Sequence, residues 1–192
     1  MAGSIYGNPE SIQQELNNTA FGAHHLIVYP DLDTLRKVYS HYINAALNAK
    51  NETVVVLPFF ETTENVRRAL RQGELDIDVT KHENQQSLIV MDSLKGYLGS
   101  PEGVWPLIMQ AIEHAKTSGK NGVSVFGDMG SFFYDHKDNE LVDYELSLPF
   151  KYDGNLKTFC LYNKREFDLR LTEQQRQKLL EHHGKNMIIA AS

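Results

Sequence analysis

The fold is decided by a short apolar run and the turn after it, His25-Leu26-Ile27-Val28-Tyr29 and Pro30-Asp31-Leu32-Asp33. The first run is almost continuously apolar and rich in β-favouring side chains, which predicts a strand buried on both faces. In residues 32–47 the apolar side chains recur with a period near 3.6 residues, which predicts an amphipathic helix. A buried strand followed at once by a helix is typical of the first unit of an α/β domain.

The turn itself lacks the features of a phosphate-binding loop. A nucleotide-binding α/β domain carries a glycine-rich loop at this point. Residues 30–33 contain no glycine and no lysine, and Asp31 and Asp33 would repel a triphosphate. A Gly-Lys pair does occur at Gly119-Lys120, but it follows a predicted helix and lacks the earlier glycine that the motif requires. The sequence therefore predicts the architecture of an ATPase without its phosphate chemistry.

The alternation of strand and helix continues to the end of the chain. Because several strands are apolar throughout, both of their faces must be covered, which predicts a three-layer α/β fold with a mostly parallel sheet and helices on both faces. Residues 1–22, rich in Gly, Asn and Ser, are predicted to form a flexible N-terminal arm in which residues 9–17 could form a short helix, and residues 23–192 a single domain. The further predicted strands are residues 53–57, 87–91, 122–127, 156–162 and 187–190, and the main further helices are residues 62–72, 101–119, 140–148 and 172–183.

Composition excludes several classes of function. The net charge is −6 and the basic residues are scattered, so we expect no direct binding to nucleic acid or to anionic membranes. The single cysteine, Cys160, excludes an intrachain disulfide and a multi-cysteine zinc site. The chain shows no signal-peptide pattern and no apolar run of about 20 residues, so we expect a cytoplasmic protein.

The candidate site lies where the predicted strands end, because ligands of parallel sheets bind beyond the carboxyl ends of the strands. The side chains there are aromatic and acidic with one basic member, which suits a small-molecule pocket. Asp31 and Asp92 would equally suit the caps of turns or helices. Asp128 is bracketed by glycines, which indicates unusual backbone angles or a close approach of another group. The predicted ligand-binding residues are Tyr29, Asp31, Phe60, Glu61, Asp92, Asp128, Tyr162 and Arg165.

The histidines occur in two adjacent pairs, residues 24–25 and 182–183. Neighbours on a strand point to opposite faces, so a pair would rarely chelate one metal ion. A zinc or iron site built from one member of each pair remains an alternative. His25 is predicted to be a buried, hydrogen-bonded residue that begins its strand. We predict no catalytic residue, no metal and no cofactor.

Eight parts of the chain carry a resemblance by their order and spacing: residues 25–29, 53–61, 88–92, 97, 127–129, 144–145, 159–167 and 182–189. Taken together, they resemble the DcmR-like sensory domain, or MEDS domain, over residues 22–190. The resemblance implies a fold related to the RecA and KaiC ATPases with a degenerate phosphate loop. It also implies the sensing of small molecules, in some systems hydrocarbon-like compounds, beside histidine kinases or transcription regulators.

The chain departs from these relatives at particular positions. Asp128 stands where related domains often have glutamate, and Phe60 stands beside Glu61 where KaiC-like enzymes carry adjacent carboxylates. The chain carries no kinase or DNA-binding module, so we expect it to act alone or through a partner.

The leading hypothesis is a non-catalytic domain for small-molecule sensing or signal transduction, with a histidine kinase or transcription regulator as partner. A nucleotide-binding or nucleotide-hydrolysing protein and an oligomeric scaffold are the alternatives.

Overall fold

The computed structural model describes residues 3–191, which form one seven-stranded sheet in the order β1-β7-β2-β6-β5-β3-β4. Every neighbouring pair of these strands is parallel, as the apolar strand runs predicted. The strands are β1 (Gly3–Gly7), β2 (His24–Tyr29), β3 (Thr53–Leu57), β4 (Leu88–Val90), β5 (Val123–Asp128), β6 (Leu156–Asn163) and β7 (Lys185–Ile189).

The helices cover both faces of this sheet. The first four contribute to one apolar core, which we call the first face, and the last six contribute to a second core on the other side, the second face. The three-layer α/β architecture predicted from the sequence is therefore confirmed. The helices are α1 (Pro9–Asn17), α2 (Leu32–Asn48), α3 (Thr63–Gln72), α4 (Val79–Asn84), α5 (Ser93–Leu98), α6 (Trp105–Thr117), α7 (Gly130–Tyr134), α8 (Asp138–Ser147), α9 (Lys164–Arg170) and α10 (Glu173–His182).

Strand β2 shows how the sequence divides between the two cores. Ile27 and Tyr29 pack in the core of the first face, whereas Leu26 and Val28 pack in the core of the second. Successive side chains of a strand point to opposite faces, so an unbroken apolar run is what a strand between two helical layers requires.

The ends of several elements follow their local signals. Thr172 and Gln175 form the predicted capping box of α10, and Gly119 follows α6 with a φ of 71°. Helix α6 begins at Trp105, later than predicted, because residues 101–104 form turns that include Gly103 at a φ of 60°. Helices α4, α5, α7 and α9 are at most seven residues long and too short to show a helical period in the sequence.

The N-terminal segment differs from the flexible arm that was predicted for residues 1–22. Strand β1 pairs with β7 along five residues, and α1 lies against α2. Ile12 and Leu16 of α1 are fully buried in the core of the first face. Residues 3–17 are thus part of the sheet and of the first helical layer, and for them the prediction of a loose arm is wrong. The short helix that was allowed at residues 9–17 is present.

A conservative truncation tests how firmly α1 is packed. We expect Ile12→Val to lower the free energy of unfolding by about 0.5–1.5 kcal/mol, since it removes one buried methylene group from a packed core. The matched change Leu169→Val, at a side chain that is 72% exposed, should have little effect. Urea unfolding of the two variants measures both values, and equal stabilities would contradict the packing of α1.

Within residues 3–191, no helix combines the length and the apolar character that crossing a bilayer would require.

Candidate functional site

At the carboxyl edge of the sheet the fold brings together side chains from three strand exits. Tyr29 is the last residue of β2 and Asp128 the last of β5, and Glu61 lies in the loop after β3. Tyr39 and Arg36 reach the same place from α2. We call these five residues the strand-exit cluster.

Asp128 is the buried centre of this cluster, with only 2% of its surface exposed. The Tyr29 hydroxyl donates a hydrogen bond to Oδ2 at 2.7 Å, and the Gly130 amide donates to Oδ1 at 2.8 Å. Burial raises the pKa of the Asp128 carboxyl to about 7; the two hydrogen bonds oppose this shift and the nearby charge of Glu61 adds to it. Burial and the Asp128 charge also raise the pKa of Tyr29 well above its ordinary value. Asp128 therefore changes its protonation near neutral pH while Tyr29 remains a donor.

Glu61, in contrast, has a cationic partner. Arg36 donates to Oε2 of Glu61 from Nε at 3.0 Å and approaches the same oxygen with Nη2 at 2.9 Å. The Tyr39 hydroxyl donates to Oε1 at 3.1 Å. In residues 3–191 no such ion pair is found for Asp128, so it is the carboxyl of the cluster whose charge is uncompensated.

The glycines on either side of Asp128 leave room for aromatic side chains, Tyr97 on the second face and Phe59 and Phe60 beside Asp128. A Cβ atom at Gly127 would collide with the Tyr97 hydroxyl, and one at Gly130 would collide with the rings of Phe59 and Phe60. Neither glycine has a positive φ, so a close approach, and not an unusual backbone angle, explains them. The cavity under these rings, lined by Tyr39, Glu61 and Asp128 among others, has a volume of about 10 Å³. A single water is the most that such a space holds.

Four predicted site residues lie elsewhere or play another role. Asp31 caps α2, where its Oδ1 accepts a hydrogen bond from the Thr34 amide at 2.8 Å, and Asp92 caps α5 in the same way through the Lys95 amide at 3.0 Å. Arg165 is exposed on α9, and Tyr162 lies on the second face. Tyr29, Phe60, Glu61 and Asp128 lie close together at the strand exits, and their binding of a ligand stays a prediction.

The sequence of the chain matches a known protein family. Residues 23–179, more than half of the chain, match the MEDS family, described as the MEthanogen/methylotroph, DcmR Sensory domain. The chain belongs to the MEDS family. Among curated proteins no significant match is found. The family is a sensory one, which is consistent with the predicted role in signalling.

The second face of this MEDS domain holds a buried group of four side chains, of which the sequence reasoning considered only one histidine from each pair, as an alternative metal site. His24, Glu145, Cys160 and His183 place one nitrogen, oxygen or sulfur atom each within 4.8 Å of one another. We call these four residues the histidine cluster. Tyr162, predicted to bind ligand at the strand exits, instead donates its hydroxyl proton to Oε1 of Glu145 at 2.6 Å.

A signal for this cluster was present in the MEDS domain sequence. The alternation of side chains along β2 and β6 sends His24 and Cys160 to the same face, and His25 to the other. His25 is only half-buried and its Nδ1 atom has no hydrogen-bond partner in the described part of the chain, so its prediction as a buried, hydrogen-bonded residue is wrong. Burial lowers the pKa of His25 to about 4. The periodicity of the strands could not show that α8 supplies Glu145 to this cluster.

Proposed function

We propose that this MEDS domain is a non-catalytic small-molecule sensor whose ligand binds at the strand-exit cluster. The observation that carries the proposal is Asp128, a buried carboxyl with a pKa of about 7 beside the aromatic side chains of Phe59 and Phe60. We further propose that the domain reports ligand binding to a partner protein such as a histidine kinase or a transcription regulator.

The chemistry of the cluster favours a particular kind of ligand. A buried carboxyl without a cation is costly once it ionises, and a ligand that donates a hydrogen bond or carries a positive charge would remove that cost. Aromatic rings beside the carboxyl favour small organic cations and apolar groups. The ligand would therefore be a small amine or alcohol, bound through Asp128 and covered by Phe59 and Phe60.

Ligand binding at the strand-exit cluster would change the surface of the domain. The cavity of about 10 Å³ is too small for such a ligand, so the Phe59–Phe60 segment would have to move outward. Helix α7 starts at Gly130, directly beneath these rings, and α7 contacts α5, α8 and α9. A ligand that prefers the open arrangement would shift the population of this segment, which a partner could recognise.

The first turn supports sensing over the binding of a nucleotide. At the N-terminus of α2, where a phosphate group would bind, the Asp31 carboxylate already accepts the Thr34 amide proton. We infer that the fold descends from a RecA- or KaiC-like ATPase in which this aspartate replaced the phosphate loop.

Thermal unfolding with a panel of small amines, alcohols and carboxylic acids tests the proposal. At least one amine or alcohol should raise the melting temperature of the unmodified chain; a ligand at 100 times its dissociation constant stabilises by about 2.7 kcal/mol. Asp128→Asn should lose this response. Asp92→Asn is the matched control, because asparagine caps a helix as well as aspartate does and this carboxylate is exposed.

Two outcomes would count against the proposal. One is that no compound of the panel raises the melting temperature. The other is that the same compound stabilises Asp128→Asn as much as the unmodified chain. A rise in melting temperature with ATP and Mg²⁺ alone would support the nucleotide-binding alternative instead.

A further inference from the structure

The histidine cluster is a second site, on the opposite side of the sheet from the strand-exit cluster. His24 begins β2, Cys160 lies in β6, Glu145 belongs to α8, and His183 directly follows α10. His24, Glu145 and His183 are fully buried, and Cys160 is 4% exposed. Four side chains with metal-binding atoms thus meet in the core.

Outer hydrogen bonds aim the binding atoms of this cluster inward. Nδ1 of His24 donates to the Pro149 carbonyl at 3.1 Å, and Nδ1 of His183 donates to the Leu179 carbonyl at 2.7 Å. These bonds place the proton on Nδ1, so each Nε2 presents a lone pair to the cluster. The Tyr162 hydroxyl occupies Oε1 of Glu145 at 2.6 Å and leaves Oε2 facing the histidines.

Within the cluster, acceptors therefore face one another. Oε2 of Glu145 lies 3.3 Å from Nε2 of His24 and 3.5 Å from Nε2 of His183. Nε2 of His183 has no hydrogen-bond partner in the described part of the chain, although it is fully buried. Two lone pairs and a carboxylate oxygen this close together repel one another, and a cation bound between them would remove that repulsion.

The distances and the ligand types select the cation. The Cys160 Sγ lies 3.4 Å from Nε2 of His24 and 3.5 Å from Oε2 of Glu145. Ligands at zinc bond lengths of about 2.0–2.3 Å in a tetrahedron lie about 3.3–3.5 Å apart, which matches the four contacts measured here. Zn²⁺ with one thiolate and one carboxylate is also electrically neutral, which limits the cost of burial.

We propose that His24, Glu145, Cys160 and His183 form a structural zinc site that links β2, β6, α8 and the end of α10. The four side chains would occupy all four coordination positions of a tetrahedral zinc ion, so no position would remain for a substrate. A surface cleft of about 260 Å³ lies next to the cluster, with His24, Phe21 and Phe150 among its lining residues. The sequence predicted no metal and kept a zinc or iron site from one member of each histidine pair as the alternative, and the site proposed here is of that alternative kind. It does not depend on a ligand at the strand-exit cluster.

Metal content and cobalt substitution of the full chain test the proposal. The purified chain should contain about one zinc ion per molecule, and the chelated chain should rebind one equivalent of Zn²⁺ with a rise in melting temperature. Co²⁺ should give the strong visible absorption of a tetrahedral site together with a thiolate charge-transfer band. The cobalt spectrum is recorded on the unmodified chain, so it decides the question even where a variant fails to fold.

Each histidine pair supplies its own control for the variants. Cys160→Ser should abolish the charge-transfer band. Tyr162→Phe removes only an outer hydrogen bond and should weaken zinc binding by roughly 10–100-fold. His183→Gln removes a ligand and should weaken zinc binding by more than that. His25→Gln and His182→Gln should bind zinc as the unmodified chain does. The proposal is overturned if the chelated chain binds neither ion, or if His183→Gln binds as tightly as His182→Gln. The absence of metal would mean that a proton on one imidazole bridges the cluster.

Discussion

Replacing Lys157 by methionine is expected to lower the free energy of unfolding by about 3–5 kcal/mol, because it leaves a buried carboxylate without its countercharge. The Lys157 and Glu52 side chains are only 2% and 4% exposed, and Nζ lies 2.9 Å from Oε1. Ser124 donates to Oε2 of Glu52 at 2.6 Å, and Tyr42 donates to the same oxygen at 3.1 Å. The pair joins the start of β6 to the residue before β3 across β5, so the loss would affect the centre of the sheet.

The double variant Lys157→Met, Glu52→Gln separates the buried charge from the lost contacts. It should be more stable than Lys157→Met alone, since the glutamine still accepts hydrogen bonds but carries no charge. Lys164→Met is the matched control: Lys164 lies 2.6 Å from Asp168, but about half of each side chain is exposed. Its effect should remain below about 1 kcal/mol.

Denaturant unfolding of these three variants measures the values. A loss below about 1 kcal/mol for Lys157→Met would contradict a desolvated ion pair at this position.

Asp128→Asn is expected to change how stability depends on pH. The folded chain holds the Asp128 proton up to about pH 7, whereas in the unfolded chain the carboxyl has its ordinary pKa of 3.8. The raised pKa thus stabilises the fold relative to the asparagine variant at low pH, and this contribution is lost as the pH rises toward and through 7. Between about pH 5 and about pH 8 the stability of the unmodified chain should fall by about 2–3 kcal/mol relative to Asp128→Asn.

The comparison between the two chains is the informative measurement. Burial lowers the pKa of His25 to about 4, so this residue destabilises the fold on acidification and alters the raw stability curve in the opposite sense. Because His25 is present in both chains, its contribution cancels in the difference. Asp92→Asn controls for the removal of an exposed carboxylate. Parallel stability curves for the unmodified chain and Asp128→Asn would contradict a buried carboxyl that titrates near neutral pH.

Local patterns in the sequence determined the architecture of this MEDS domain. Apolar strand runs such as residues 25–29 require cover on both faces, and this requirement leads to a parallel sheet between two helical layers. The cap at Thr172 and the helix end at Gly119 were readable because their causes lie within a few residues. The missing phosphate loop at residues 30–33 was readable for the same reason. The composition of residues 1–22, in contrast, could not show that β1 pairs with β7.

Only the tertiary structure decided which polar residues share a site. Tyr29 and Asp128 are 99 positions apart, and they meet because β2 and β5 flank β6 with matching side-chain directions. Tyr162 lies one residue before the end of the neighbouring strand β6 but points to the other face, where it contacts Glu145. His24 joins Cys160 and His183 while His25 does not, since adjacent residues of a strand face opposite layers. Strand order and the choice of covering helix are long-range properties of packing, and they place Tyr162 beside the histidine cluster while Tyr29, Glu61 and Asp128 meet in the strand-exit cluster.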